Sequence, residues 1–229
     1  MARFDRLTVL NSMVSTGLVP IFYHRDAEVA KKVIGACAEG GSALLEFTNR
    51  GDRALKVFTE MAEFCDGALS HGGRGPMILG AGSIVDAPTA ALYVAAGANF
   101  IVGPMLNPEV ARLCNRRKVP YLPGCGTVSE ISEAEELGVE IVKMFPGGEM
   151  GGPAFVKSLL APMPWTRVMP TGGIEATEES VKAWIKAGVA CLGVGGQLIR
   201  KDLLEAGNYA AIRDHVRQVL QWIKEARAR

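Results

Sequence analysis

The sequence predicts a (β/α)8 barrel of the TIM type with a helix at its N-terminus. Eight short apolar runs alternate with longer stretches of helical periodicity. A glycine recurs where a helical stretch gives way to the next apolar run. The 229 residues suffice for one barrel domain without a second, slightly below the usual barrel length. A single (β/α)8 domain over residues 1–229 is therefore expected. A doubly wound open sheet fits the same alternation, because periodicity does not prove closure.

The elements follow in order. A helical stretch near residues 3–16 opens the chain. The strand candidates are "LVPIFY" (18–23), "ALLEFTN" (43–49), "MILGAG" (77–82), "FIVGPM" (100–105), "VPYLPG" (119–124), "EIVKMFP" (140–146), "RVMPTGG" (167–173) and "ACLGVGG" (190–196). Between them, residues 26–38 place Ala30, Val33, Ile34 and Cys37 on one helical face. A last helix near 207–226 aligns Ile212, Val216, Val219, Leu220 and Ile223. The helix-to-strand joints read "EGG" (39–41), "AAGAN" (95–99), "ELGVE" (136–140) and "KAGVA" (186–190), each supplying a helix-ending glycine. The compositional oddity is "SHGGRGP" (70–76), a glycine-rich loop ahead of the third strand.

Composition narrows the function classes. A hydrophobic share of 48% against 21% charged residues is that of a soluble globular chain. A net charge of +1 provides no broad basic field for nucleic acid or anionic membrane, so an acidic ligand must be held by a local site. Cys37, Cys65, Cys114, Cys125 and Cys191 are odd in number, scattered and without a CxxC pair, which argues against both a disulfide framework and a zinc site. Residues 1–17 lack a signal-peptide core and no apolar run is long enough to span a bilayer. A reduced, cytoplasmic protein is expected.

Barrel active sites lie at the carboxyl ends of the strands, and the polar residues there form a short set. Lys143 sits inside the apolar run of the sixth strand. Desolvation there disfavours the ammonium form, leaving a nucleophilic amine able to form an imine with a ketone. A buried ion pair, for instance with Glu46, explains the same lysine equally well. Glu46 shares a strand face with Leu44 and Thr48, opposite Leu45 and Phe47, which aims it at the barrel axis as a proton-transfer group or as a counter-ion to Lys143 or Arg50. Arg50, at the end of the second strand, is suited to gripping a carboxylate in two parallel hydrogen bonds. Strands seven and eight end in the diglycines Gly172–Gly173 and Gly195–Gly196, the place where such barrels bind phosphate through backbone amides. Cys125 ends strand five, where it is placed to line a pocket, with nothing nearby marking it as a nucleophile. His24, His71 and His215 show no metal spacing, and His215 is expected at the surface. Trp165, Trp184 and Trp222 are expected to pack between layers.

Taken in order, "LVPI", "LLEFTNR", "GAGSIVD", "VPYLPGCGTVSE", "VKMFP", "PTGGI" and "VGGQLI" resemble the class I aldolases that cleave 2-keto-3-deoxy-6-phosphogluconate and 4-hydroxy-2-oxoglutarate. The likeness runs over nearly the whole chain. It implies a trimeric barrel that acts on a 2-oxo acid through a Schiff-base lysine, with no metal or other cofactor. By position, the resemblance makes Lys143 the Schiff-base residue and Glu46 the acid/base group. Arg50 and Ser83, the latter where the family commonly has threonine, would hold the pyruvate carboxylate. Thr171 would contact substrate hydroxyls, while Pro104 and Phe145 would wall the pocket. Phosphate would rest on Gly172, Gly173, Gly195 and Gly196, with Gln197 where the family often has a serine. "FPGGEMGG" carries extra glycine where alanine is usual, and the 70–76 loop is long for the family.

The leading expectation is a lyase splitting 2-dehydro-3-deoxy-6-phosphogluconate or 4-hydroxy-2-oxoglutarate into pyruvate and an aldehyde. The galactonate isomer is an alternative substrate. A phosphosugar isomerase using Glu46 without an imine, and a 2-oxo-acid-binding barrel without turnover, are the rival classes.

Overall fold

The structure is a computed structural model and describes residues 2–67 and 77–228. The loop 70–76 singled out above lies outside the described residues. The strands are β1 (Leu18–Phe22), β2 (Leu44–Thr48), β3 (Ile78–Gly82), β4 (Ile101–Val102), β5, β6 (Val142–Met144), β7 (Val168–Pro170) and β8 (Leu192–Val194). β5 comes in two pieces, Tyr121–Leu122 and Gly124–Cys125, on either side of Pro123. The helices are α1 (Arg6–Thr16), α2 (Ala27–Gly40), α3 (Ala54–Asp66), α4 (Ala87–Ala95), α5 (Pro108–Arg117), α6 (Val128–Glu136), α7 (Gly152–Leu160), α8 (Glu178–Lys186), α9 (Lys201–Glu205) and α10 (Tyr209–Arg227).

Every strand pairing is parallel, and the pairings run in a ring. β1 joins β2, β2 joins β3, β3 joins β4, and β4 joins the first piece of β5. The second piece of β5 joins β6, and β6 joins β7. β7 meets β8 through the bridge between Thr171 and Gly193, and β8 returns to β1 in the register Val19 to Gly193. The ring is a closed barrel, not an open sheet. Pro123 explains the split of β5, because it has no N–H to carry the ladder through. β4 is likewise shorter than the 100–105 run suggests, since Pro104 cannot donate to a neighbour.

Strand residues alternate between two apolar clusters. Leu18, Leu45, Phe47, Leu79, Val142 and Leu192 face the helices. Val19, Leu44, Ile78, Phe100, Leu122 and Met169 fill the barrel interior. The interior needs a floor, and α1 supplies it: Val9, Leu10 and Met13 belong to the same interior cluster. Asp5 caps α1 by accepting from the Thr8 amide, and Gly17 ends it at φ +75°, its N–H donating to Met13 O. Arg6 ties this floor to the barrel through Glu140, at 2.8 Å. At the other end of the chain α10 buries Ile212, Val216, Val219 and Ile223 against α2 and α8, each worth about 1.5–3 kcal/mol of transfer free energy.

Two sequence expectations fail here. Trp165 is 66% exposed, because the prolines of "PMPW" keep the α7–β7 connection out of regular structure and no layer covers it. Trp184 is buried and Trp222 half-buried, as expected of layer residues. His215 is not a surface residue: it is half-buried, with both ring nitrogens against main-chain carbonyls of two other segments.

Candidate active site

The strand ends carry their polar groups to the open end of the barrel, opposite α1. Lys143, central in β6, is 5% exposed, and its Nζ lies 4.8 Å from the centre of the Phe145 ring. Burial lowers its pKa from the ordinary lysine value, the charge of Glu46 opposes that shift, and the charge of Arg50 adds to it. Glu46, in β2, is 1% exposed, and its Oε2 is buried with no hydrogen-bond partner. Burial raises its pKa, with Lys143 and then Arg50 pulling it back. An unpaired buried charge costs several kcal/mol, so both groups are pushed towards their neutral forms. A neutral amine beside a protonatable carboxyl has the makings of imine chemistry. The buried ion pair considered from sequence is not formed by Glu46 Oε2.

Glu46 fits there because of a glycine. In the β2–β3 ladder Thr48 pairs with Gly82, and a Cβ on Gly82 would lie 1.8 Å from Glu46 Oε1. Beyond Glu46, exposed Arg50 donates from Nε to Ser83 Oγ at 3.2 Å. Ser83 holds a left-handed backbone at φ +59°, unusual for a residue with a side chain and a form of strain that clusters at functional sites. Pro104, after β4, sets its carbonyl against the backbone of β5, where a Cβ on Gly124 would fall 2.1 Å from Pro104 O.

The two diglycines come together across the bridge between β7 and β8. Gly172 and Gly173 are both left-handed, at φ +85° and +69°, so only glycine takes that turn without strain. Gly147 and Gly148 donate to Thr171 O and Gly172 O, laying the loop after β6 backbone to backbone on the loop after β7. A Cβ on Gly148 would be 2.9 Å from Gly173 Cα, which accounts for the extra glycine in "FPGGEMGG". Thr171 is nearly buried with its Oγ1 unpartnered, in space left by Gly193, where a Cβ would come within 2.4 Å of that oxygen. Gly195 is half-buried, and Gly196 and Gln197 are exposed on the rim.

These loops enclose a cavity of about 470 Å³ that Arg50, Phe145, Thr171, the four glycines and Gln197 help to line. Lys143 and Glu46 are buried and are not among the residues that line it. Residues 9–215 match the family model for KDPG and KHG aldolase. The chain belongs to the KDPG and KHG aldolase family. The 2-dehydro-3-deoxy-phosphogluconate aldolase of Pseudomonas aeruginosa is 31% identical over 203 residues, 89% of this chain and 87% of that one. The KHG/KDPG aldolase of Escherichia coli K12 is 29% identical over 218 residues, 95% of this chain and 97% of that one. In fold, the chain matches the KDPG aldolase of Legionella pneumophila with a TM-score of 0.82 at 24% identity, covering 92% of this chain and 97% of that one. That crystal structure holds pyruvate as a covalent carbinolamine intermediate.

In this aldolase-family chain the structure brings Arg50, Phe145, Thr171, Gly172, Gly173, Gly195, Gly196 and Gln197 to one cavity. Ser83 joins through Arg50, and Pro104 lines no part of that cavity. Cys125 does not line it either: its thiol is buried, pushed up to about 12 by desolvation, and turned to Glu130 O. Sequence reasoning missed Tyr23, which lines the cavity wall beside Thr48, a strand-end residue already singled out with Glu46. The Tyr23 hydroxyl packs where a Cβ on Gly51 would be, 2.1 Å away. The signal available was glycine inside or just past a strand, as at Gly51, Gly82 and Gly193, which marks close approach of another group. Among the described residues no helix is long and apolar enough to cross a membrane.

Proposed function

We propose that the chain is a class I aldolase that cleaves 2-dehydro-3-deoxy-6-phosphogluconate, 4-hydroxy-2-oxoglutarate or both into pyruvate and an aldehyde. The observation that carries this reading is Lys143, buried with a lowered pKa in the interior that also holds Glu46. Lys143 Nζ attacks the 2-oxo carbon, and Glu46 assists loss of water to give the imine. Glu46 then takes the C4 hydroxyl proton as the C3–C4 bond breaks, its electrons moving into the protonated imine. The enamine regains a proton at the pyruvate methyl carbon, and hydrolysis frees the lysine. The products are pyruvate with glyceraldehyde 3-phosphate, or pyruvate with glyoxylate.

In this reading Arg50 and Ser83 hold the substrate carboxylate, supported by their mutual hydrogen bond. Thr171, whose hydroxyl is unpartnered, serves the substrate hydroxyls, with Phe145 and Pro104 as walls. The phosphate rests on the amide N–H groups of Gly172, Gly173, Gly195 and Gly196, none of which donates a backbone hydrogen bond among the described residues, with the Gln197 amide at the rim. The carbinolamine in the Legionella pneumophila relative supports the covalent route. The enzyme works in the cytoplasm as a homotrimer. The exposed Val85 and Met105, on the loops after β3 and β4, and Val128, at the start of α6, support an apolar contact between copies.

Reduction with borohydride in the presence of pyruvate tests the reading. A pyruvyl mass on Lys143 is the expected result. An unmodified Lys143, with activity surviving Lys143→Ala, would overturn it in favour of proton-transfer chemistry at Glu46.

A further inference from the structure

His215 has no place in the chemistry above, yet it reaches both loops that carry the diglycines. It projects from α10, with Nδ1 3.3 Å from Leu198 O and Nε2 3.4 Å from Ala176 O. Leu198 lies two residues past Gly196, inside a turn closed by the Leu198 and Ile199 amides donating to Gly195 O. Ala176 lies three residues past Gly173. On its other side the loop after β7 is held by Gly147 and Gly148, through Thr171 O and Gly172 O. Among the described residues, no backbone hydrogen bond ties the loop after β8 to a neighbouring loop. Apart from the bridge between Thr171 and Gly193, the imidazole is the recorded polar link between the two loops among the described residues. No other described side chain reaches a carbonyl in each loop; the neutral imidazole donates to one of these carbonyls, and the imidazolium donates to both.

We infer that His215 is a positioning residue that sets the spacing of the two diglycine amide pairs, and through it the grip on the phosphoryl end of the substrate. This rests on the reading of those amides as the phosphate cradle. Two amide pairs on separate loops hold one anion well only at a fixed separation, because each lost or lengthened hydrogen bond weakens the grip. A ring anchored on α10 sets that separation without touching the ligand. A residue that acts only by setting the grip on the phosphoryl group is expected to change KM for the phosphorylated substrate while leaving kcat nearly intact.

Three variants divide the role. His215→Leu removes both polar contacts and keeps bulk. The side-chain amide of His215→Asn stands in for Nδ1 and addresses Leu198 O; that of His215→Gln stands in for Nε2 and addresses Ala176 O. KM and kcat are measured with 2-dehydro-3-deoxy-6-phosphogluconate and its unphosphorylated counterpart, and inorganic phosphate is titrated by phosphorus NMR, which needs no turnover. His215→Leu is expected to raise KM for the phosphorylated substrate and Kd for inorganic phosphate by about threefold to tenfold. Its kcat, and its KM for the unphosphorylated substrate, should change by less than about twofold, with Asn or Gln recovering part of the loss. If KM rises equally on both substrates, or neither amide recovers the loss, the positioning role is wrong. If His215→Leu fails to fold, His215→Ala takes its place in the same comparison, and unaltered phosphate affinity in that variant overturns the inference. A wild-type chain indifferent to phosphate removes the cradle and this inference together, whereas absence of a pyruvate adduct on Lys143 removes only the aldolase reading.

Discussion

The carboxylate of Glu46 occupies the volume that a side chain on Gly82 would need. A Cβ on Gly82 would meet Glu46 Oε1 at 1.8 Å and Cδ at 2.6 Å. Gly82→Ala must therefore push Glu46 off its position beside Lys143 while leaving both reactive residues in place. A misplacement on the order of 1 Å costs about 100-fold in rate, so kcat is expected to fall by that order, with the thermal midpoint measured alongside to exclude unfolding. Activity within about twofold of wild type would mean that Glu46 tolerates the shift.

The acid limb of the reaction should move in opposite directions in two variants. Lys143 attacks only as the neutral amine. Glu46 raises the Lys143 pKa, so Glu46→Gln lowers it, and the pH dependence of pyruvate labelling at Lys143 shifts to lower pH. Arg50 lowers the same pKa, so Arg50→Gln shifts the limb to higher pH. Lys143 and Glu46 titrate as a coupled pair, so the comparison is between whole profiles measured at saturating pyruvate. Shifts of the same sign in both variants would break the electrostatic account.

Gly80 makes a separate prediction about stability. It lies on β3 inside the barrel, and a Cβ there would come within 2.2 Å of the Phe100 ring. Overpacking of a filled core costs about 1–3 kcal/mol. For a chain of this size Gly80→Ala should lower the thermal midpoint by roughly 2–4 °C for each kcal/mol, read by calorimetry.

Gln197 stands on the exposed rim of the cavity beside Gly196. Gln197→Ser shortens the side chain and places a hydroxyl near the loop amides. If Gln197 weakens the phosphate site, kcat/KM should rise on the phosphorylated substrate by about threefold to tenfold, the worth of one hydrogen bond, and stay level on 4-hydroxy-2-oxoglutarate. An equal change on both substrates would remove that role.

Met105 is 51% exposed, with Val85 at 45% on a neighbouring loop and Val128 at 45% at the start of α6. Asn107 donates to Val85 O, tying two of these loops together. Met105→Asp places a charge in the proposed contact between copies. Light scattering after size exclusion should show loss of the trimer at micromolar concentration. A wild-type chain that is already monomeric would end the proposal.

Much of this molecule was legible in its sequence, for a physical reason that differs by level. Strand and helix periods are local, so Val33, Ile34 and Cys37 on one face of α2 announced that helix directly. Glycine at the end of a helix is also local, and Gly41 and Gly188 stand there in left-handed backbone. Trp165 misled because residue type alone does not say whether a neighbouring element covers it. His215 misled because its partners, Ala176 and Leu198, are distant in sequence.

The sequence by itself determined the order and period of the elements, and the residue types at the strand ends: lysine, glutamate, arginine and two diglycines. These depend on backbone preference and on which side of a strand faces the core, and both are settled within a few residues. Only the tertiary structure decided that the ring closes, that Glu46 has room through Gly82, and that the loops after β6 and β7 lie glycine on glycine. It alone decided that one imidazole spans the two diglycine loops. Those relationships arise from hydrogen-bond pairing and close packing between segments far apart in the chain, which no local pattern encodes.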